Sequence, residues 1–236
     1  MSENLERMPE DWENALVLAA HPDDVEFGSA GAVAVWTRKG HAVSYLLATR
    51  GEAGIDGVPP ADAAQVREAE QREAADRVGV RDVEFLDHPD GSVRADERLR
   101  ADLVAALRRR RPQLVVVFNH HERTGTGRWN APDHREFGRC ALDAVADAGN
   151  RWILPEAGAP WSVKYLAVAN SPAPTHAVDI STGLDAAVAS LEAHQTYLEG
   201  LGYTREAVRP AVAGQAQATG ARFGGVPAVA FELIPC

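Results

Sequence analysis

The stretch that decides the fold covers residues 15–31 and reads ALVLAAHPDDVEFGSAG. Its first six residues form a continuous apolar run, which is typical of a buried strand, and a helical-looking segment follows over residues 26–39. In an open parallel sheet, a loop between strand and helix lies at the carboxyl end of the strand, where ligands bind. The stretch therefore predicts a strand, a loop and a helix, with His21, Asp23 and Asp24 at a binding edge.

The same alternation continues outward along the chain. Short apolar runs predict further strands, and segments with helical periodicity or helix-stop signals separate them. This order indicates an α/β fold, and we expect a Rossmann-like three-layer domain with a mainly parallel sheet and helices on both faces. The predicted strands are residues 42–48, 83–86, 113–118, 163–169, 177–180 and 228–234, and the predicted helices are residues 61–78, 95–110, 184–198 and one that includes 137–148.

The length of 236 residues is expected to give a single domain, residues 1–236, in which residues 1–12 form an N-terminal extension. Residues 200–227 are rich in Gly, Ala and Pro and show no clear period, so they are predicted to be irregular. This segment could cap a pocket or make a subunit contact, which leaves a homo-oligomer open.

Composition restricts the function classes. The formal net charge of −10 argues against a nucleic-acid binder or an anionic-membrane binder, because phosphate binding needs a basic face. The four arginines at residues 108–111 are then interpreted as a solvated helix end. Two cysteines do not indicate a disulfide framework or a thiolate zinc site. No signal-peptide pattern or membrane-span pattern is found, so we expect a cytoplasmic protein.

Several polar residues follow the predicted strands and are expected to meet at one edge. A histidine and a carboxylate three residues apart can bind one metal ion, and a third ligand from a distant loop leaves a position open for water. An Asp after a strand is also a common helix N-cap, so both readings stay open on spacing alone. Asp133 and Glu136 resemble a capping box, which would place His134 in the first turn of its helix.

Six motifs, taken together and in order, resemble the LmbE-like or PIG-L family of metal-dependent N-deacetylases. The resemblance covers nearly the whole chain, and it implies a hydrolase that removes an acetyl or related acyl group from an N-acetylated amino sugar or glycoconjugate. It also implies one Zn²⁺ per chain, with another divalent metal left open. The motifs are AHPDD at 20–24, TRGEAG at 49–54, VREAE at 66–70, HPDG at 88–91, PDHRE at 132–136, and VDIS at 178–181 with a later AH at 193–194.

The resemblance assigns roles to individual residues. It implies that His21, Asp24 and His134 bind the metal and that Asp23 is the general base. That chemistry suits a metal site, because bound zinc lowers the pKa of its water toward about 7, within reach of a carboxylate base. The resemblance also implies that Arg67 and Asp90 contact substrate hydroxyls; a surface arginine and a turn aspartate are the structural alternatives.

The chain departs from the family pattern at Ala131. The family usually has a histidine there, which is thought to stabilise the oxyanion and protonate the leaving amine. We expect His121 to take over the acid role and Asn130 to act as a polarising donor, against the alternatives of a solvated histidine and a capping Asn. If nothing replaces the histidine, the chain is a catalytically impaired metal- and sugar-binding protein.

Two further residues are candidates for substrate contact. Trp129 lies in the loop expected to form the site, and sugar rings stack on aromatic faces. His194 is expected to line the site, although a packed helix histidine is the alternative and the glutamine of the family pattern falls two residues after Gln195. A nucleotide-binding Rossmann domain is the rival reading. It would need a glycine-rich phosphate loop where this chain has acidic residues.

Overall fold

The computed structural model describes residues 4–236, which fold around one eight-stranded sheet. The strands lie in the order β1-β7-β8-β6-β5-β2-β3-β4, and helices cover both faces. The strands are β1 Glu6–Arg7, β2 Asn14–Ala19, β3 Ala42–Leu47, β4 Asp82–Phe85, β5 Leu114–Phe118, β6 Tyr165–Ala169, β7 His176–Asp179 and β8 Ala228–Pro235; the helices are α1 Asp24–Gly28, α2 Ala30–Arg38, α3 Pro60–Arg77, α4 Glu97–Arg110, α5 Pro132–Ala148, α6 Leu184–Glu192, α7 Gln195–Gly200 and α8 Arg205–Gly220.

The sheet is mainly parallel, as predicted. Only β8 runs antiparallel, and it does so against both of its neighbours, β6 and β7. From β2 the chain moves outward to β3 and β4, then returns to place β5 on the other side of β2. This reversal puts a crevice at the carboxyl ends of β2 and β5, the position where open α/β sheets bind ligands.

The core lies on both faces of the sheet, and β2 shows why. Its residues are buried almost completely, and alternate side chains point to opposite faces. Val17 packs with Trp36 and the helices α2, α3, α6 and α8, whereas Leu16 packs with Phe137 and the helices α4 and α5. The continuous apolar run in the sequence is therefore the signature of a strand buried on both faces.

Three boundaries differ from the sequence prediction. The expected N-terminal extension contributes β1 and the buried side chains of Met8 and Trp12, while residues 1–3 lie outside the described residues. The expected irregular segment contains the 16-residue helix α8. The single helix predicted over residues 184–198 is two helices, α6 and α7, which meet at His194.

The arginine run also differs from its interpretation as a solvated helix end. Arg108 is 5% exposed and donates hydrogen bonds to backbone carbonyls of the segment after α5, among them those of Leu154 at 2.5 Å and Asn150 at 2.8 Å. Within residues 4–236, no helix has both the length and the apolar character needed to cross a membrane.

Candidate metal centre

A cavity of about 960 Å³ opens at the crevice between β2 and β5. The β2–α1 loop and the β5–α5 loop form opposite sides of it, and the loop after β4 and helix α7 complete the wall. Among the predicted site residues, those that line it are His21, Asp23, Asp24, Arg67, Asp90, Trp129, Asn130 and His134. The structure therefore brings together residues that are up to 113 positions apart in sequence.

The three predicted metal ligands converge on one point of this cavity. His21 Nδ1 lies 3.2 Å from His134 Nε2, and His134 Nε2 lies 3.0 Å from Asp24 Oδ1. His21 Nδ1 lies 3.7 Å from Asp24 Oδ2. In a tetrahedral zinc site with bonds of about 2.0–2.1 Å, two ligand atoms are roughly 3.3 Å apart. One ligand atom from each of the three residues lies within 4.8 Å of the other two, so the group is compact enough to hold one metal ion.

The second nitrogen of each histidine supports the same assignment. His21 Nε2 lies 3.1 Å from Asp133 Oδ2, and His134 Nδ1 lies 3.0 Å from Asn130 Oδ1. Metal-binding histidines usually donate their other N–H to an oxygen in this way, which fixes the ring and the tautomer. One nitrogen of each imidazole is thus fixed by a side-chain oxygen, and the other nitrogen, His21 Nδ1 or His134 Nε2, faces the other candidate ligands.

A second group of candidate ligands, His21, Asp90 and Asp133, uses the opposite nitrogen of the same histidine. The Asp133 carboxylate, however, already accepts the backbone N–H groups of Gly91 at 2.7 Å and Val93 at 3.2 Å. Asp90 likewise accepts the backbone N–H of Ala53 at 2.8 Å. Both oxygens of Asp133 thus accept backbone N–H groups, whereas Asp24 accepts them only at Oδ2 and keeps Oδ1 beside His134, so the group with Asp24 and His134 fits a metal better.

The pKa shifts of His21 and Asp24 support the group formed by His21, Asp24 and His134. Burial by itself would lower the pKa of His21, but hydrogen bonds to Asp133 and Asp90 and the charge of Asp24 raise it to about 10. Burial would raise the pKa of Asp24, yet His134 and His21 lower it to about 2. Asp24 is therefore a carboxylate at neutral pH, while the surrounding acids favour positive charge where the ring nitrogens meet.

Asp23 is separated from its neighbour Asp24 by an unusual backbone conformation. Its φ is +96°, in the region that favours glycine, and such strain is typically found at functional sites. The backbone N–H of Asp23 donates to Gln71 Oε1 at 3.0 Å, which helps hold this conformation. Asp24 faces the metal ligands, while Asp23 turns toward Arg67, whose Nη2 lies 3.3 Å from Asp23 Oδ1. Burial raises the pKa of Asp23, and the charge of Arg67 opposes that rise.

Arg67 and Tyr197 form the wall beside Asp23. Arg67 is 2% exposed and donates to the carbonyls of Gly51 at 3.0 Å and Pro22 at 2.5 Å. Its guanidinium carbon lies 3.8 Å from the ring centroid of Tyr197, a residue that sequence reasoning missed. Burial, and next the negative charge of nearby Asp23, raises the pKa of Tyr197.

The two other predicted substrate contacts also line the cavity. Asp90 Oδ1 lies 3.1 Å from His21 Nε2, so this carboxylate is close to the metal ligands. Trp129 is 60% exposed, and the guanidinium carbon of Arg135 lies 4.8 Å from the centroid of its ring. The ring is therefore an exposed aromatic face at the cavity entrance, held by a neighbouring cation.

Three predicted site residues have partners different from those their expected roles require. His121 Nε2 binds Glu232 Oε2 at 2.7 Å, and its ring is not part of the cavity wall. The Asn130 amide nitrogen donates to the carbonyls of Asn119 at 2.8 Å and His121 at 3.0 Å, so it is not free to polarise a substrate. His194 is completely buried, with Nε2 3.3 Å from Glu26 Oε2, and lies behind the cavity instead of lining it.

Comparisons with known proteins agree with this site. Residues 16–145 match the family described as PIG-L, GlcNAc-PI de-N-acetylase. The chain is 28% identical over 198 residues to the diacetylchitobiose deacetylase of Thermococcus kodakarensis, which covers 79% of this chain and 70% of that protein. It is 29% identical over 175 residues to the 1D-myo-inositol 2-acetamido-2-deoxy-alpha-D-glucopyranoside deacetylase of Geodermatophilus obscurus, which covers 63% of this chain and 58% of that protein.

Among solved structures, the N,N'-diacetylchitobiose deacetylase from Pyrococcus horikoshii, in complex with an inhibitor, has a similar fold. The TM-score is 0.82 at 22% sequence identity, and the alignment covers 95% of this chain and 85% of that one. This likeness concerns the fold, whereas the family match includes the loops that carry His21, Asp23, Asp24 and His134. Because that match spans more than half of the sequence, the chain belongs to the PIG-L family of GlcNAc-PI de-N-acetylases.

Proposed function

We propose that this protein is a metal-dependent hydrolase that removes an acetyl or related acyl group from an N-acylated amino sugar or glycoconjugate. One observation carries the proposal: Asp23 lies beside the His21, Asp24 and His134 group on the wall of the same cavity. Two imidazoles and one carboxylate are a ligand set of catalytic zinc, and a neighbouring carboxylate that is not itself a ligand is placed for proton transfer. The deacetylase names of the relatives support the same reaction.

Each residue has a separate task in this reaction. When bound, the metal polarises the acyl carbonyl and lowers the pKa of a water molecule. Asp23 accepts the proton of the attacking water, because its carboxylate lines the cavity and is not required as a ligand. Arg67 holds Asp23 in place through the 3.3 Å contact and is itself fixed by the carbonyls of Gly51 and Pro22. Asn130 orients His134 and is a positioning residue.

The substrate class follows from the walls of the cavity and from the relatives. Trp129 offers an aromatic face on which a sugar ring can stack, and Asp90 offers carboxylate oxygens to sugar hydroxyls. The relatives are named for acetylated glucosamine compounds, diacetylchitobiose and an inositol glucosaminide. An N-acetylglucosamine conjugate is therefore the substrate to test first.

The alternative of an impaired metal- and sugar-binding protein is not favoured. It depended on Ala131, whose methyl group cannot replace the donor that the family pattern has there. The general base and all three candidate ligands are nevertheless present and correctly spaced.

The test measures metal content and acetate release on the same samples. The wild type and Asp23→Asn are loaded with Zn²⁺ and offered N-acetylglucosamine, diacetylchitobiose and an inositol N-acetylglucosaminide. We expect one zinc per chain in both proteins and acetate release by the wild type. Release by the variant should be slower by about 100-fold or more, the usual effect of removing a general base. Asp185→Asn is the matched control, because this exposed carboxylate pairs only with Arg209 on the surface.

Two results would contradict the proposal. Failure to bind Zn²⁺, Mn²⁺, Fe²⁺ or Co²⁺ stoichiometrically would rule out the metal centre, provided that the control protein is folded. Stoichiometric zinc without acetate release from any of the three substrates would favour the binding protein over the hydrolase. Parallel loading with Mn²⁺, Fe²⁺ and Co²⁺ identifies the metal that supports the highest activity, since a site of nitrogen and oxygen ligands accepts several divalent ions.

A further inference from the structure

The departing nitrogen of an amide needs a proton, and the described wall of the cavity contains few donors free to give one. Ala131 has only a methyl group. The amide nitrogen of Asn130 is bound to two carbonyls, and Arg67 is occupied by Gly51, Pro22 and the general base. His121 binds Glu232 away from the cavity. One way to meet this requirement is a group next to Asp23 that passes the proton of the attacking water on to the nitrogen.

Tyr197 meets this requirement by its position. It lies in α7, three residues after His194, where the chain breaks between α6 and α7. The guanidinium carbon of Arg67 lies 3.8 Å from the centroid of the Tyr197 ring, and Nη2 of the same guanidinium lies 3.3 Å from Asp23 Oδ1. The residue lines the same cavity as His21 and His134. The stacking therefore holds the ring on the cavity wall, next to the guanidinium that contacts the general base.

We propose that the Tyr197 hydroxyl is the proton donor for the leaving amine, an inference that rests on the proposed function. Asp23 takes a proton from the attacking water, whose oxygen becomes bonded to the acyl carbon. As the C–N bond breaks, Tyr197 gives its hydroxyl proton to the nitrogen, which keeps the electron pair of that bond. The phenol oxygen recovers a proton from Asp23, so the carboxylate is regenerated and the products are the amine and the carboxylic acid.

The surroundings keep Tyr197 in the form that can donate. Burial, followed by the negative charge of Asp23, raises the pKa of Tyr197. The phenol is therefore neutral at the pH of the reaction. Because its proton is replaced from Asp23 as it leaves, the tyrosine never has to exist as a free phenolate in this buried position.

The decisive variant is Tyr197→Phe, which removes one oxygen atom and leaves the stacking on Arg67 in place. We expect kcat for an N-acetylglucosaminide to fall by about 100-fold or more, the range for loss of a general acid, with KM changed less than about threefold. Hydrolysis of 4-nitrophenyl acetate should fall less than about threefold, because a nitrophenolate leaves without a proton. Tyr203→Phe is the matched control, since Tyr203 is 48% exposed.

A second readout does not depend on turnover. The protein has four tyrosines, so labelling their ζ carbons with ¹³C gives four NMR signals, and the one missing in Tyr197→Phe identifies Tyr197. We expect this signal to shift in Asp23→Asn, which removes the carboxylate charge, and to shift when glucosamine is added to the zinc-loaded wild type. The signal of Tyr203 should not respond to either change.

Two results overturn the inference. One is amide hydrolysis by Tyr197→Phe within about threefold of the wild type; the other is equal losses on the amide and on the nitrophenyl ester, which would indicate a structural role. If the wild type releases no acetate at all, the proposed function fails first. In that case a Tyr197 signal that does not respond to Asp23→Asn overturns the Tyr197–Asp23 pairing as well, whereas a response shows that the pairing itself is real.

Discussion

Replacing Asn130 with alanine should weaken metal binding without touching a metal ligand. The Asn130 side chain makes four hydrogen bonds: its Oδ1 accepts from His134 Nδ1 at 3.0 Å and from the Ala131 backbone N–H at 2.9 Å, and its Nδ2 donates to the carbonyls of Asn119 and His121. The bond to His134 fixes the imidazole that faces the metal. Loss of such a partner typically lowers metal affinity 10–100-fold, or about 1.4–2.7 kcal/mol.

The three bonds to the backbone predict a separate loss of stability. Each contributes about 0.5–1.5 kcal/mol, so Asn130→Ala should lower the free energy of unfolding of the metal-free protein by about 3 kcal/mol. Asn119→Ala is the matched control, because Asn119 is equally buried and bonds the same loop through the Arg123 carbonyl and the His121 N–H, but does not contact His134. We expect it to lose stability and to keep its zinc affinity within about threefold.

The assay is zinc competition with a fluorescent chelator, paired with urea unfolding of the metal-free proteins. The reasoning is refuted if Asn130→Ala binds zinc as tightly as the wild type despite its loss of stability. It is also refuted if Asn119→Ala weakens zinc binding as much as Asn130→Ala does, because the effect would then come from the loop and not from the bond to His134.

Two further predictions concern stability and the setting of the general base. Arg108→Ala removes a buried cation that donates to several backbone carbonyls. The free energy of unfolding should therefore fall by about 3 kcal/mol, and Tm by about 6–12 °C. Arg109→Ala is the control, because Arg109 is exposed and its loss should lower the free energy of unfolding by less than about 1 kcal/mol. Differential scanning calorimetry that shows equal shifts would contradict this. Gly51 and Gly57 both have positive φ, so alanine at either should cost about 1–2 kcal/mol. Only the Gly51→Ala methyl would lie 2.2 Å from Arg67 Nη1, and kcat should fall about 10–100-fold in that variant alone.

The fold was predictable where the sequence pattern reflects burial on both faces. The apolar runs of β2 and β5 could be placed because their residues pack alternately against the two helix layers, apart from Phe118, which lines the cavity. Helix α8 was missed because Pro210 and four glycines in residues 200–220 obscured it. Val208, Val212 and Ala216 do repeat at a spacing of four residues, and all three join the packed clusters. That repeat was the available signal for the helix.

The site was predictable only as far as its short motifs extend. The two ligands in the first loop and His134 could be assigned by resemblance, since the motifs contain them. Tyr197 could not be assigned, because its role depends on the tertiary packing of α7 against Arg67. The same limit explains why the contact of His121 was not predicted, because its partner Glu232 is 111 residues away in the sequence.

Asp133 has a role different from the helix cap that its local sequence pattern predicted. The pattern predicted a helix cap, but α5 begins after Ala131, and the Asp133 carboxylate accepts the N–H groups of Gly91 and Val93 and contacts His21 Nε2. One carboxylate thus fixes both the loop after β4 and the imidazole of a metal ligand. Because Asp90 lies in that loop, the group proposed to meet the substrate hydroxyls is placed by the same residue that orients the proposed metal ligand His21. The distance between the proposed sugar-binding group and the proposed metal centre is therefore set within the protein before a substrate arrives.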